Sequence, residues 1–110
     1  MFQGWEPHFS KLKKIYDSHQ IPVIFTEFGY RSIDYNATTP WDSGENNTVN
    51  LTAQKTAYQA IFQQFWNESW FVGGFLWKWH HPKDAGGKNN NRFTPQNKPA
   101  MQVITEQYGN

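Results

Sequence analysis

One carboxylate stands at a position where it could do chemistry. Glu27 directly follows residues 23–26 (Val-Ile-Phe-Thr), a short β-branched and aromatic run that is typical of a buried parallel strand. A carboxylate held at a strand end can attack an electrophile or transfer a proton. It can also be a polar residue that ends the strand and is solvated or salt-bridged, and composition alone favours this second interpretation.

Three tryptophans could form flat contact surfaces for a ligand. Trp77 and Trp79 end the apolar run 71–79, and alternation places both with Phe75 on one face of a strand. Core packing explains most aromatic residues in strands, but two Trp at the carboxyl end of one strand cannot easily both be core. Trp41 lies in a polar stretch, where it is either a loop anchor packed on the surface or a more distant ligand platform.

The sequence gives little support for cysteine chemistry or for a metal site. The chain has no Cys, which excludes a thiolate nucleophile, a disulfide and a Cys-based zinc site. His80 and His81 are adjacent, so they point apart, and Asp84 lacks the alternating oxygen ligands of a calcium loop. We therefore expect no metal and no cofactor.

The charge pattern excludes several classes of partner. Ten basic and nine acidic residues are spread along the 110 residues and give a net charge of +1, which offers no field to attract nucleic acid or acidic lipid. Residues 71–77, the longest nearly apolar stretch, are far too few to span a bilayer. We expect neither a nucleic acid nor a membrane partner, and the sequence indicates no compartment.

Apolar periodicity predicts the element order α-β-α-β-α. The predicted elements are a helix over 5–19, a strand over 23–26, a loop over 30–49, a helix from about 51 to 67, a strand over 71–79, a loop over 80–97 and a helix from Pro99. Both strands are followed by long polar loops and preceded by short turns, as in α/β folds that bind ligands at the carboxyl ends of parallel strands. A closed barrel needs about 250 residues, so the chain is predicted to be a piece of a larger fold.

Four segments in order resemble one enzyme family. Residues 26–30, 40–42, 74–79 and 93–100 are similar to the end of glycoside hydrolase family 113, a clan A family that includes β-mannanases. The resemblance implies an α/β fold, the C-terminal portion of a (β/α)₈ TIM barrel comprising helix six, strand seven, helix seven, strand eight and helix eight. Residues 1–110 would then be one partial domain, incomplete without the missing N-terminal barrel portion.

The resemblance also assigns roles to the candidate residues. It implies that Glu27 is the nucleophile of a retaining glycosidase, sharing strand alternation with Val23 and Phe25 and facing the barrel mouth. Trp77 and Trp79 would be platforms for the apolar faces of sugar rings, with Trp41 at a more distant sugar. Independently of the resemblance, Tyr30 lies just beyond Glu27 and could hold its carboxylate by a hydrogen bond, and Arg31 could favour the ionised form by opposite charge. The implied substrate is a β-linked, mannan-like oligo- or polysaccharide.

The second catalytic residue of the family has no counterpart in this sequence. A retaining glycosidase also needs a general acid/base about 5–5.5 Å from the nucleophile, and in this family it is a Glu at the end of strand four. Glu6, Glu45, Glu68 and Glu106 all lie outside such a context. The isolated chain is therefore expected to be inactive and to expose apolar surface. The alternatives are a truncated product or a non-enzymatic carbohydrate-binding module, and an assembly in which another chain supplies the missing strands.

Overall fold

A computed structural model describes residues 2–42 and 48–109 of the chain. Its elements are helix α1 (Phe2–His19), strand β1 (Val23–Phe28), helix α2 (Leu51–Phe65), strand β2 (Phe71–Leu76) and helix α3 (Pro99–Tyr108). The α-β-α-β-α order predicted from periodicity is thus confirmed. Residues 43–47 of the predicted 30–49 loop, Glu45 among them, lie outside the described residues.

Helices α2 and α3 begin at residues that favour a helix start. The Asn50 side chain accepts a hydrogen bond from the Ala53 amide at 2.9 Å, which satisfies one free N–H of the first turn of α2. Pro99 opens α3, where its missing N–H costs nothing. The predicted stripe of α1 packs against the core through Trp5, Phe9, Leu12 and Tyr16.

The two strands form a parallel sheet with all the described helices on one side. Val23 pairs with Phe71, Phe25 with Gly74 and Phe28 with Leu76. Helix α2 contacts both α1 and α3, and the core lies between α2 and the sheet. At its centre is the fully buried Phe65, whose ring lies 5.1 Å from Trp5, 5.0 Å from Phe25 and 5.4 Å from Phe71. Edge-on packing against Phe25 and tilted packing against Phe71 therefore join the helix layer to the strands.

The other face of the sheet is open. Ile24, Val72 and Phe75 are exposed there, Phe75 to 64%, while Leu76 on the opposite face packs against the core. This confirms the expectation of exposed apolar surface, and large apolar patches of this kind mark places where another surface binds. Among the described residues no helix combines the length and the apolar character that a membrane span requires.

Strand β2 is shorter than predicted. It ends at Leu76 rather than at Trp79, because its partner β1 ends at Phe28, opposite Leu76. Trp77 makes one further backbone hydrogen bond, from its N–H to the Phe28 carbonyl at 2.7 Å. Trp77 and Trp79 therefore lie just after the strand, at the start of the loop that follows it.

Candidate functional site

Four of the predicted site residues line one cleft of about 950 Å³. Glu27, Tyr30, Trp41 and Trp77 contribute to its wall. Other lining residues come from α1, β1, α2 and the two loops, among them Trp5, Leu12, Phe25, Pro40 and Phe93. The wall is mostly apolar, with a carboxylate at the end of β1. Such a cleft suits a ligand that has both apolar faces and polar groups.

The alternation of β1 is irregular next to Glu27. The register with β2 shifts between Phe25 and Phe28, and these two residues, three apart, both pack against the hydrophobic core. Simple alternation therefore does not hold through residues 25–28. Glu27 is exposed while its neighbour Phe28 is buried, and the predicted direction of the carboxylate, toward a barrel mouth, stays a prediction.

Gly29 allows the ends of the two strands to approach closely. A Cβ atom placed on Gly29 would overlap the carbonyl oxygen of Trp77. This backbone contact and the hydrogen bond from the Trp77 N–H to Phe28 bring the Glu27 segment beside the Trp77 segment. Glycine is thus required two residues after Glu27 for a steric reason, because a larger residue would displace the backbone of Trp77.

Tyr30 lies in the cleft wall but is mostly buried. Its ring packs edge-on against Tyr58 with centroids 5.8 Å apart, and burial raises the pKa of its phenol to about 12. Its carbonyl accepts a hydrogen bond from the Gln54 side chain at 2.9 Å. The phenol therefore stays protonated as a donor at neutral pH, while its hydrogen bond to Glu27 stays a prediction.

The tryptophans differ in where they lie. Trp41 is 77% exposed and Trp77 43% exposed, and both line the cleft. Such exposure of Trp41 argues against a loop anchor packed on the surface. Trp79 is also exposed but is not among the described residues that line the cleft. Lys78 is exposed and places its Nζ 5.2 Å from the centre of the Trp77 ring, a cation–π distance.

Buried polar side chains hold the loops behind the cleft, and sequence reasoning did not find them. Gln54 donates to the carbonyls of Tyr30 and Phe93, which belong to different loops. Gln96 accepts from the His80 amide at 2.7 Å and donates to the His80 carbonyl at 3.0 Å. A signal was available for Gln54, because a polar residue on the apolar side of a helix needs buried partners.

Arg31 is also buried in this region. Its guanidinium donates to main-chain carbonyls of the two loops, and burial lowers its pKa. Its contacts therefore place it in the loop framework, whereas the sequence suggested a role beside Glu27.

Within residues 2–42 and 48–109, no three His, Asp or Glu side chains come together in a way that could hold a metal ion. This includes His80, His81 and Asp84.

Comparisons with known proteins point to one family. The model of Glycoside Hydrolase Family 113 matches residues 1–98. The structure of the GH113 β-mannanase AaManA from Alicyclobacillus acidocaldarius in complex with ManMIm matches 98% of the chain at 27% identity, with a TM-score of 0.85. A complex structure of a GH113 β-1,4-mannanase matches at 26% identity and a TM-score of 0.84, and another GH113 β-1,4-mannanase structure at 27% and 0.83.

This chain covers 35% of the first of these proteins and 36% of the other two. It therefore has an α/β fold like part of the family 113 TIM barrel and spans about a third of the length of those structures. No match was found among curated proteins.

Proposed function

The chain belongs to glycoside hydrolase family 113, and we propose that it is the portion of a retaining, mannanase-like barrel that carries the nucleophile. Glu27 is the proposed nucleophile, Trp77 and Trp79 the sugar platforms, Trp41 a more distant platform and Tyr30 a support for the carboxylate. The substrate class is a β-linked polysaccharide of the mannan type, which the similarity to β-mannanase structures supports.

One observation carries this proposal: Glu27 and Trp77, on adjacent strand ends, line the same cleft. In a retaining mechanism the carboxylate attacks the anomeric carbon, the glycosidic bond breaks, and a covalent glycosyl-enzyme forms. An indole face beside the carboxylate would hold the apolar face of the ring being attacked. Water then releases the sugar with the same anomeric configuration.

The proposed barrel positions are helix six, strand seven, helix seven, strand eight and helix eight. They are supported by the parallel pairing of β1 with β2 and by the packing of the described helices and both strands into one hydrophobic core. In a (β/α)₈ barrel the helices form the outer ring and the other sheet face lines the interior. The open face with Ile24, Val72 and Phe75 would thus face the barrel interior.

The general acid/base would come from the rest of the barrel. A second carboxylate must protonate the leaving oxygen and then activate water, and no Glu of this sequence matches that position. We therefore propose that activity requires the preceding two thirds of the fold, and that the 110 residues alone are inactive.

The proposal can be tested by completing the barrel. The N-terminal portion of the Alicyclobacillus acidocaldarius mannanase is joined to this chain, and β-mannan hydrolysis is measured. Glu27→Gln should lower kcat about 10⁴-fold, the scale at which catalytic groups act, whereas Glu6→Gln, an exposed control on α1, should leave kcat unchanged. Full activity of the Glu27→Gln enzyme would refute the assignment.

Product stereochemistry tests the role of Glu27 independently. With an activated glycoside and azide, a Glu27→Ala enzyme should yield a glycosyl azide of inverted configuration, because azide attacks the face that Glu27 has vacated. A glycosyl azide of retained configuration would instead indicate that Glu27 is the acid/base.

The alternative is a carbohydrate-binding module without turnover. The exposure of Trp41 and Trp77 in one cleft favours it as a second candidate. Titration of the 110-residue chain with β-1,4-mannooligosaccharides, followed by tryptophan fluorescence, tests this function. Saturable binding that Trp77→Ala weakens, with no activity after the barrel is completed, would support the binding module over the enzyme.

A further inference from the structure

Two buried cations lie between the loops that follow the strands. We call residues 29–50 the first loop and residues 77–98 the second loop. Arg31 of the first loop is only 2% exposed, and Lys98 at the end of the second loop 5%. Burying a charge is unfavourable unless hydrogen bonds compensate for the lost water. The hydrogen-bond partners of these two side chains therefore show which parts of the loops the two cations connect.

Lys98 joins the first loop to the second. Its Nζ donates to Ser32 Oγ at 3.0 Å, to Asn90 Oδ1 at 2.9 Å and to the Arg92 carbonyl at 3.0 Å. An ammonium group has three donors and no acceptor, so these three oxygens match its capacity. Ser32 Oγ in turn donates to the Asn90 carbonyl at 2.5 Å. Lys98 thus ties Ser32, just beyond the Glu27 strand end, to the second loop.

Arg31 connects the same loops through its planar fork. Its Nε donates to the Asn91 carbonyl at 3.0 Å and its Nη1 to the Asp42 carbonyl at 3.3 Å. Asp42 directly follows Trp41, so Arg31 links the start of the first loop to the backbone beside that exposed indole. Asn91 lies two residues before Phe93, which also lines the cleft.

We propose that Arg31 and Lys98 are positioning residues, which hold the two loops so that Trp41 and Phe93 stay at the wall of the Glu27 cleft. This inference rests on the proposed function of the cleft in binding a sugar chain. Neither cation touches the reacting atoms in this scheme. They hold the backbone beside Trp41 and Phe93, and these two side chains would contact the sugar units away from the cleaved bond. We call the contacts of Arg31 and Lys98 the loop clasp.

The loop clasp can be measured by amide hydrogen exchange in the 110-residue chain. Lys98→Met removes all three donors, so exchange of the amides in residues 31–42 and 88–93 should rise about tenfold, a factor that corresponds to about 1.4 kcal/mol. The amides of α2 should change less than twofold. Lys88→Met, at an exposed lysine of the same loop, is the matched control and should change neither region. Unchanged loop exchange, or an equal rise in α2, would overturn the proposal.

A second variant covers the case in which Lys98→Met does not fold. Arg31→Lys keeps the charge but loses the fork, so it cannot reach both carbonyls in the same way. Exchange should rise at the amides of Thr38 and Asp42, which bond to Tyr35 and Thr39 within the loop. Wild-type protection at those amides would contradict a positioning role for Arg31.

Kinetics distinguish positioning from general support. In the completed barrel, either variant should raise KM about tenfold and leave kcat within about twofold, because the sugar platforms move while Glu27 on β1 does not. A fall in kcat with unchanged KM would indicate loss of folded enzyme and refute positioning. If the unsubstituted barrel is inactive, the proposed function fails, while the exchange data still decide whether the loop clasp orders the loops.

Discussion

Replacing Gly29 by Ala tests the close approach on which the cleft depends. The added Cβ would overlap the carbonyl oxygen of Trp77, which is a backbone atom and cannot swing aside as a flexible side chain would. The strand ends must separate, and the 2.7 Å hydrogen bond from Trp77 N–H to the Phe28 carbonyl would lengthen or break. A single methyl group should therefore disturb both the sheet edge and the site.

The magnitude follows from these two effects. Loss of a backbone hydrogen bond costs about 1 kcal/mol and overpacking by one carbon about 1–3 kcal/mol. The free energy of unfolding should thus fall by about 2–4 kcal/mol. At about 4 °C per kcal/mol for a domain of about this size, the thermal midpoint should fall by about 8–16 °C.

Urea and thermal unfolding, followed by circular dichroism, provide the assay. The matched control is Gly4→Ala on α1, where the new Cβ would meet no heavy atom within 4 Å other than its chain neighbours and its own helix backbone. That variant should keep or raise stability, because alanine favours a helix over glycine by about 0.5–1 kcal/mol. A Gly29→Ala chain as stable as the unsubstituted protein would refute the close approach, and with it the placement of Glu27 beside Trp77.

Two further predictions concern the core and the pH dependence. Phe65→Ala should lower the free energy of unfolding by about 3–5 kcal/mol, because it empties the fully buried centre of the aromatic core; a cost below about 1 kcal/mol in urea unfolding would contradict that packing. Burial lowers the pKa of Lys98 to about 8 from 10.5, so the unfolded chain binds its proton more tightly and stability should rise between pH 8 and 10.5. Burial raises the pKa of Tyr30 to about 12 from 10.0, so stability should fall between pH 10 and 12. The urea midpoint is measured across this pH range. The rise should be absent in Lys98→Gln, and the fall should be smaller in Tyr30→Phe. Parallel curves for the unsubstituted chain and both variants would refute both assignments.

The order of elements could be predicted from the sequence because it depends on local patterns. The apolar stripe through Trp5 and Phe9 has the period of a helix whatever else is nearby, and Pro99 marks a helix start by its own covalent structure. The candidate residues Glu27 and Trp77 could be found because functional groups in α/β folds follow the strands. These conclusions needed only neighbours along the chain.

Other features depend on residues far apart in the sequence. The alternation of β1 breaks between Phe25 and Phe28, where the register with β2 shifts, and this shift is a property of the strand pairing. The end of β2 at Leu76 is likewise set by where its partner strand ends. Alternation alone did not predict this irregularity, and it predicted a longer second strand.

The sequence by itself determined the elements, the family resemblance and the place of the carboxylate at the end of β1, since each is encoded in a short segment. Only the tertiary structure decided that Trp41 and Trp77 join Glu27 in one cleft, and that Arg31 and Lys98 are buried between the loops. The physical reason is that sequence alone predicts a charged side chain to be exposed unless its hydrogen-bond partners are known. Ser32, a partner of Lys98, lies 66 positions away along the chain.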